Sequence, residues 1–296
     1  MYQLISDGGC DFSKDEAIKH NVDIVPFYIC IDNETHLKEG IDISKDDYFH
    51  RLISEKSFFP KTAQPNPQDY MDAFIPHLEK GKDILVLTIS SKLSGSHNSA
   101  VLAADILMDD FPDRKIMVID SLSASVGQGL ILGEMVKMRD AGCSMRKTAE
   151  LAKEILNTTK VYFSLDSLEF LKRGGRIGSA TALVGGVLGL RPILQLEDGQ
   201  VTQLDRARGK KNAHKLLRET IVDAFIEDLE CVNIRIGHIL SESDADAFKS
   251  GTEATLDTQI SNPITEIGAA IGTHAGPGAL GFAICKKFEA LWKVAA

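Results

Sequence analysis

The chain has 296 residues, of which 44% are hydrophobic and 25% are charged, as is ordinary for a soluble globular protein. This length suggests two domains or one large domain. The formal net charge of −9 argues against a nucleic-acid-binding protein, which normally carries a basic surface.

The first half of the sequence alternates strand patterns with helix patterns. Strands are predicted at residues 2–6, 22–31, 84–88 and 116–120, and helices at residues 48–54, 69–80, 96–109 and 127–141. Such alternation predicts a mainly parallel sheet flanked by helices. Pro76 should kink or interrupt the second of these helices, since proline cannot donate the helical hydrogen bond.

The second half follows a different pattern. Strands are predicted at residues 160–164, 191–196, 200–204, 232–238 and 259–267, and helices at residues 168–172 and 216–226. The tripeptide Glu197-Asp198-Gly199 predicts a tight hairpin turn between two of these strands. We therefore expect an α/β fold with two domains, an N-terminal domain at residues 1–158 and a smaller C-terminal domain with a mixed sheet at residues 159–296.

Neither the N-terminus nor the cysteines indicate export. Met1 is not followed by a basic and then an apolar segment, so we expect no signal peptide. The longest strongly apolar stretch, residues 180–190, is too short to span a bilayer. The five cysteines form no CxxC pair, which favours reduced thiols in the cytoplasm over a disulfide framework or a zinc site.

Small polar residues follow several predicted strands of the first half. Ser6 and Asp7 end the first strand, Ser94 and Gly95 follow the strand at residues 84–88, and Ser125 follows the strand at residues 116–120. Each of these residues could simply cap the next helix. Because ligands of parallel sheets bind beyond the carboxyl ends of the strands, converging loops of this kind would form a rim that accepts an anion.

Three further segments carry polar or charged groups. Two prolines fix an extended loop that leaves Thr62 and Gln64 available to a ligand. The turn at residues 172–176 is basic and glycine-rich, which is typical either of a helix end or of a contact with an anion or a partner. His274 lies among five glycines, where it is either structural or placed to donate to a carboxylate.

The sequence lacks the usual nucleotide and metal motifs. No P-loop, HExxH motif or EF-hand loop occurs, and Gly127, Gly129 and Gly133 fit helix packing better than dinucleotide binding. Ser94 lacks the GxSxG context of α/β-hydrolases. A hydrolase or transferase that uses Ser94 and His274 remains an alternative, although the spacing identifies no orienting acid.

Taken together, these segments resemble the DegV family. The matching segments occur in family order along nearly the whole chain, and they are Ser6-Asp7 with Asp11, Thr62-Ala63-Gln64-Pro65, residues 90–95, residues 168–178, residues 191–194 and residues 274–281. The sequence departs from the usual pattern at Gly8, at Ala63 and at Ser96-His97.

The resemblance implies a bacterial, cytoplasmic fatty-acid-binding protein rather than an enzyme. It implies that Thr62, Ser94, Gly95 and His274 bind the carboxylate of a long-chain fatty acid between the two domains. Its acyl tail, palmitate-, stearate- or oleate-like, would lie in an apolar tunnel. Supporting positions around the head group are expected at Ser6, Asp7, Gln64 and Ser125. No cofactor, metal, nucleic acid or stable membrane insertion is expected.

Two further expectations concern the tunnel and a partner. The apolar segment at residues 180–190 supplies a candidate tunnel wall, formed by Leu183, Val184, Val187 and Leu188. The same apolar pattern is also typical of an ordinary helix core. In fatty-acid kinase systems, such a protein presents its ligand to a separate ATP-dependent kinase subunit, and Arg173, Arg176 and Arg206 are candidate docking residues. A lipid-responsive interaction protein without a kinase is a further alternative.

Overall fold

A computed structural model describes residues 2–32, 34–55, 57–183, 189–225 and 229–295. Its strands are β1 (Tyr2–Asp7), β2 (Val22–Val25), β3 (Tyr28–Cys30), β4 (His36–Lys38), β5 (Lys61–Ala63), β6 (Asp83–Thr88), β7 (Ile116–Asp120), β8 (Lys160–Ser164), β9 (Leu190–Glu197), β10 (Gln200–Arg208), β11 (Val232–His238), β12 (Thr265–Glu266) and β13 (Leu280–Lys286). Its helices are α1 (Lys14–Lys19), α2 (Lys45–Ser54), α3 (Pro67–Leu78), α4 (Ser96–Asp110), α5 (Val126–Asp140), α6 (Met145–Thr158), α7 (Glu169–Arg173), α8 (Lys210–Phe225), α9 (Glu242–Leu256), α10 (Ala269–Ala275) and α11 (Phe288–Ala295). Short 3₁₀ helices lie at Gly8–Cys10, Gly178–Leu183 and Leu229–Cys231.

The first sheet is parallel, as the alternating pattern predicts. Its strand order is β2-β1-β6-β7, and every neighbouring pair in it runs parallel. Strand β6 is buried along almost its whole length, which explains its nearly uninterrupted apolar sequence. The carboxyl ends of β1, β6 and β7 therefore lie side by side, where their polar loops begin.

The second sheet is mixed, which confirms the fold class expected for the second half. Its order is β10-β9-β8-β13-β11-β12, antiparallel throughout except for the last pair. The hairpin between β9 and β10 turns at Asp198 and Gly199, both of which have positive φ. The Asp-Gly pair thus forms the predicted turn.

The strand predicted at residues 22–31 is wrong as a single element. The chain forms β2, breaks at Pro26 and Phe27, and continues as β3 in a separate antiparallel sheet of order β4-β3-β5. Pro26 has no N–H group to donate to a neighbouring strand, so it favours a change of partner at this point. The small sheet matters for the site because it carries Thr62 on β5.

Other boundaries also differ from the sequence prediction. Helix α3 starts at Pro67, earlier than predicted, because Asn66 and Asp69 form a reciprocal capping box. It continues through Pro76 and ends two residues later. Only Thr265–Glu266 of the strand predicted at residues 259–267 forms a strand, and Ile260 N instead donates to Glu253 Oε1 at 2.9 Å. The sequence patterns do not predict helices α1, α6, α9, α10 and α11.

Helix α5 lies between the two large sheets. A Cβ atom at Gly127 would overlap Val161 of the second sheet, and one at Gly129 would lie 2.6 Å from the carbonyl oxygen of Cys10 beyond the first. These contacts agree with the predicted packing role for Gly127 and Gly129, whereas a Cβ atom at Gly133 would meet nothing within 4 Å. Helices α5 and α6 contribute to one buried core with strands of both sheets. The domain boundary near residue 158 stays a prediction.

Within the part of the chain that the structure describes, no helix is long and apolar enough to cross a membrane. The same residues contain no group of three or more His, Cys, Asp or Glu side chains placed to hold a metal ion.

Candidate functional site

Asp7 lies at the carboxyl end of β1 and ties the neighbouring loops together. Its Oδ2 atom accepts hydrogen bonds from Ser96 Oγ at 2.6 Å and Ile89 N at 3.0 Å, and its Oδ1 atom accepts one from Gln128 Nε2 at 2.9 Å. Burial raises the pKa of Asp7, and these hydrogen bonds oppose that rise. Asp7 and Ser6 do not border the cavity described below, so they support the loops from behind.

Thr62 and His274 form the central contact of the site. Thr62 lies in β5, where it pairs with Ile29 of β3, and His274 lies in the last turn of α10. Thr62 Oγ1 and His274 Nε2 are 2.8 Å apart, within hydrogen-bond distance. The structure therefore brings together two residues to which the family resemblance gives one head-group site.

The imidazole of His274 is enclosed on its other side by Gly174. A Cβ atom at Gly174 would overlap His274 Nδ1, and this nitrogen has no hydrogen-bond partner among the described residues. Burial lowers the pKa of His274 to about 4, and the nearby Arg176 cation adds to the lowering. The imidazole is therefore neutral at pH 7.

Ser94 and Gly95 lie in the loop between β6 and α4, and Gln64 joins this loop to Thr62. Gln64 Oε1 accepts a hydrogen bond from Gly95 N at 2.9 Å. Ser94 Oγ accepts a hydrogen bond from Ser96 N at 3.2 Å. Among the described residues, the Ser94 hydroxyl donates to no group. The hydroxyl proton of Ser94 is thus available to a ligand.

Thr62, Gln64, Ser94 and His274 border a cavity of about 280 Å³, close to the size of a small-molecule site, whereas Gly95 is not part of its lining. Its polar lining is Thr62, Gln64, Ser94, Ser125, Arg176 and His274. Most of the remaining lining is apolar, and it includes Phe27, Leu93, Val126, Phe163, Leu196 and Ile267. Among the polar lining residues, Thr62 and His274 are directly hydrogen-bonded, so the cavity combines polar groups with a mainly apolar lining.

Ser125 borders this cavity in an unusual backbone conformation. Its φ of 54° lies in the left-handed region, which is unfavourable for a residue with a Cβ atom. Ser125 N donates to Gly9 O at 2.6 Å, and Ser125 Oγ donates to Asp11 Oδ2 at 2.6 Å. Asp11 also has a positive φ, of 52°. Strained residues of this kind concentrate at functional sites.

The predicted tunnel wall is not described by the structure. Val184, Val187 and Leu188 lie outside the described residues, and Leu183 is described only by its backbone at the end of a 3₁₀ helix. Their role stays a prediction.

The three arginines predicted to dock a kinase lie in different surroundings. Arg173 is exposed, pairs with Glu169, and places its guanidinium carbon 3.8 Å from the ring centre of Phe59. Arg206 is exposed on β10. Arg176 instead borders the cavity and donates from Nε to Leu93 O at 3.0 Å. Docking stays a prediction for all three, and only Arg176 of the three lies in the cavity lining.

The fold and the cavity together define the class: an α/β protein with two large sheets, one small sheet and a mainly apolar cavity whose lining includes hydroxyl, imidazole and guanidinium groups. The sequence model of the DegV family, described as uncharacterised, matches residues 1–287. This chain belongs to the DegV family. A DegV domain-containing protein of Clostridium perfringens is 30% identical over 96% of this chain and 99% of its own.

Solved structures of several DegV proteins share this fold. A stearic-acid-binding protein from Eubacterium ventriosum superposes with a TM-score of 0.93 at 30% identity, covering 98% of this chain and 99% of its own. A fatty-acid-binding DegV protein from Thermus thermophilus gives 0.86 at 31% identity, covering 96% and 99%. The Fatty Acid Kinase (Fak) B3 protein of Streptococcus pneumoniae, loaded with linoleic acid, gives 0.84 at 27% identity, covering 97% and 100%.

Proposed function

We propose that this protein binds a long-chain fatty acid and presents its carboxylate to a separate ATP-dependent kinase. The observation that carries the proposal is the mainly apolar cavity whose lining includes the hydrogen-bonded Thr62–His274 pair. The fatty acids bound by structurally similar DegV proteins support it. Palmitate, stearate and oleate are the ligand class that we propose.

The apolar wall supplies most of the binding free energy. Transfer of about sixteen carbons from water contributes on the order of 12 kcal/mol, at about 0.8 kcal/mol for each methylene group. Ordering of the tail and loss of overall motion consume part of this. The head-group residues therefore need only fix the position of the carboxylate.

The Thr62–His274 pair is suited to fix it. A proton on His274 Nδ1 would be a buried donor without a partner among the described residues, so we assign the proton of the neutral ring to Nε2. Nε2–H then donates to Thr62 Oγ1, and the Thr62 hydroxyl proton is directed at the carboxylate. The Ser94 hydroxyl provides a second donor to the same head group.

Neutral donors also suit a carboxylate that must react. Nε and Nη1 of Arg176 already donate to the carbonyl oxygens of Leu93 and Gly174. Its cation therefore offsets the ligand charge without committing a bidentate pair to it. A carboxylate held in this way can attack the γ-phosphorus of ATP. The γ-phosphoryl group passes to a carboxylate oxygen, and the products are acyl phosphate and ADP.

In this proposal the chain is the binding subunit, the kinase supplies catalysis, and both act in the cytoplasm. The chain closes around the acid as two domains divided near residue 158, since the cavity is lined by residues on both sides of that position. The Fak B3 protein among the similar structures supports a kinase partner.

A hydrolase that uses Ser94 and His274 is less compatible with the geometry. His274 Nε2 faces Thr62, and within the described residues no carboxylate contacts His274 Nδ1 to orient the ring. With a pKa of about 4, the imidazole is also a weak general base at pH 7. Turnover of acyl esters by the isolated chain, lost in Ser94→Ala, would nevertheless favour this alternative.

The decisive experiment identifies the ligand. Native mass spectrometry of the purified full chain should show an added mass equal to a C16–C18 fatty acid, and delipidated protein should take up added oleate or palmitate. Failure to carry or take up any fatty acid would refute the proposal. Co-purification of a kinase subunit from the source cell, with ATP-dependent loss of the bound acid, tests presentation. A loaded protein that is never phosphorylated would leave binding intact and refute presentation.

A further inference from the structure

Two acidic side chains from distant segments meet at the start of α10. Asp11 Oδ1 accepts a hydrogen bond from Gly268 N at 2.9 Å, and Glu39 Oε1 accepts hydrogen bonds from Ala269 N and, at 3.2 Å, from Ala270 N. Asp11 is buried; Glu39 is half-buried as a residue, but its carboxylate lies in the interior. Together the two carboxylates bind three consecutive backbone N–H groups.

From this geometry we infer that Asp11 and Glu39 are positioning residues for the fatty-acid head group, acting through α10. The inference rests on the proposed function. Neither side chain borders the cavity, so neither contacts the ligand. Their effect reaches it because α10 is only seven residues long and ends with His274 and Ala275, both of which border the cavity.

Independent contacts indicate that the position of α10 matters for the site. Tyr48 on α2 holds the helix from the side, with its hydroxyl oxygen 2.7 Å from Thr273 Oγ1. Ser125, which borders the cavity, donates to the second oxygen of Asp11 despite its strained backbone. Asp11 therefore joins the start of α10 to a second part of the cavity wall.

Burial makes this anchor sensitive to pH. It raises the pKa of Asp11 to about 6 and that of Glu39 to about 7, where the Asp11 charge adds to the rise. Two nearby cations oppose this rise. Lys45 of α2 lowers the pKa of both carboxyls, and Arg235 of β11 lowers the pKa of Asp11. Lys45 also pairs with Glu266 at 2.8 Å and Arg235 with Glu16 at 2.8 Å, while Tyr48 faces Glu39 as a neutral phenol.

The sign of the pH effect follows from these raised values. Below about pH 6 both carboxyls hold protons and do not repel one another. As the pH rises through about 7, Glu39 becomes charged as well as Asp11. Burial and the Asp11 charge disfavour the ionised Glu39 more than its N–H partners on α10 favour it, so the structure around the start of α10 loses stability. The wild-type protein should therefore release its fatty acid faster at pH 8 than at pH 6.

The test compares Glu39→Ala with Glu39→Gln in the full-length protein. Glu39→Ala removes the acceptor, and we expect the dissociation of a fluorescent fatty acid, cis-parinaric acid, to be about 5- to 10-fold faster at every pH. Glu39→Gln keeps a neutral acceptor, so dissociation should stay near the pH 6 wild-type rate and lose its dependence between pH 6 and 8. Glu253→Gln is the matched control, since Glu253 also accepts a backbone N–H group but lies on α9, away from the cavity.

The same variants separate this inference from the proposed function. Hydrogen exchange of residues 268–275 in ligand-free protein should be faster in Glu39→Ala than in wild type or Glu253→Gln. The inference would be overturned if both Glu39 variants released the fatty acid at the same rates as wild type. It would also be overturned if hydrogen exchange of α10 were unchanged in Glu39→Ala. A wild-type protein that binds no fatty acid would refute the proposed function, while the exchange measurement would still decide whether Glu39 anchors α10.

Discussion

Thr62 Oγ1 lies 2.8 Å from His274 Nε2, although the two residues are 212 positions apart in the sequence. One belongs to a three-residue strand and the other to a seven-residue helix. Neither element would be stable alone, so the contact depends on the complete fold. The pair links the N-terminal half of the chain to the helix that lies between β12 and β13 of the second sheet.

The Thr62 hydroxyl should be measurable as a head-group donor. Thr62→Ala removes it, and because a hydrogen bond to a charged group is worth about 1.5–3 kcal/mol, we expect oleate affinity to fall about 10- to 100-fold. Thr62→Ser retains a hydroxyl and should stay within about threefold of wild type. Displacement of a fluorescent fatty acid measures both. Equal losses in the two variants would show that the methyl group, not the hydroxyl, matters.

Gly174 should be required because His274 occupies the space of its missing side chain. Its φ of −74° suits alanine, so Gly174→Ala acts only through the overlap of Cβ with His274 Nδ1. We expect displacement of the imidazole and at least tenfold weaker oleate binding. Gly133→Ala on α5 is the control, since nothing lies within 4 Å of its Cβ position. Wild-type binding by Gly174→Ala would mean that the imidazole position is not critical.

The sequence predicts much of the site but not how its parts connect. Thr62, Gln64, Ser94, Ser125 and His274 all border one cavity, as expected from their segments. Their individual roles stay predictions. Periodicity also predicts the parallel sheet well, because its strands are apolar runs with helices between them.

The remaining features depend on tertiary contacts that short patterns do not encode. Strands β4 and β5 have three residues each, too few for a period-two signal. The polar segment around Glu39 predicts an exposed acidic residue, and only the fold brings its carboxylate to the backbone of Ala269 and Ala270. The basic turn at residues 172–176 predicts that Arg176 belongs to a charged surface, but in the structure Arg176 borders the cavity. Asp11 differs from these residues because it is one of the positions that match the DegV family, so the sequence singled it out.

His274 should make the ligand-free protein sensitive to acid. Its folded pKa of about 4 lies below the ordinary value of 6.5, so the unfolded chain binds more protons between those pH values. Stability is therefore lost as the pH falls from about 6.5 to about 4. His274→Gln should reduce that loss by about 1–3 kcal/mol in urea unfolding at pH 7 and pH 4.5. Asp11 and Glu39 titrate in both proteins and cancel in the comparison. An unchanged pH slope would contradict the low pKa.

Filling the cavity should shorten the preferred acyl chain. Ala270 borders the cavity and is buried, so Ala270→Leu adds three carbons to the space that the tail would occupy. Fatty acids extracted from the variant should be shorter than those from wild type by about two to four carbons. Mass spectrometry of protein exposed to a mixture of C12–C18 acids measures this. Ala141→Leu, at an exposed position after α5, should leave the distribution unchanged. An unaltered distribution in Ala270→Leu would exclude this wall from the acyl site.

Charge reversal of the arginines should separate docking from binding. Arg173 and Arg206 are exposed and away from the cavity lining, so Arg173→Glu with Arg206→Glu should slow kinase-coupled phosphorylation of bound oleate at least fivefold without changing oleate affinity. The defect should diminish at high salt, since screening weakens the attraction that charge reversal abolishes. Arg176→Glu should impair both readouts, because its charge borders the head-group cluster. Arg146→Glu, at an exposed position on α6, is the control. If the Arg173 and Arg206 substitutions weaken oleate binding instead, these arginines act on the cavity and the kinase must dock elsewhere.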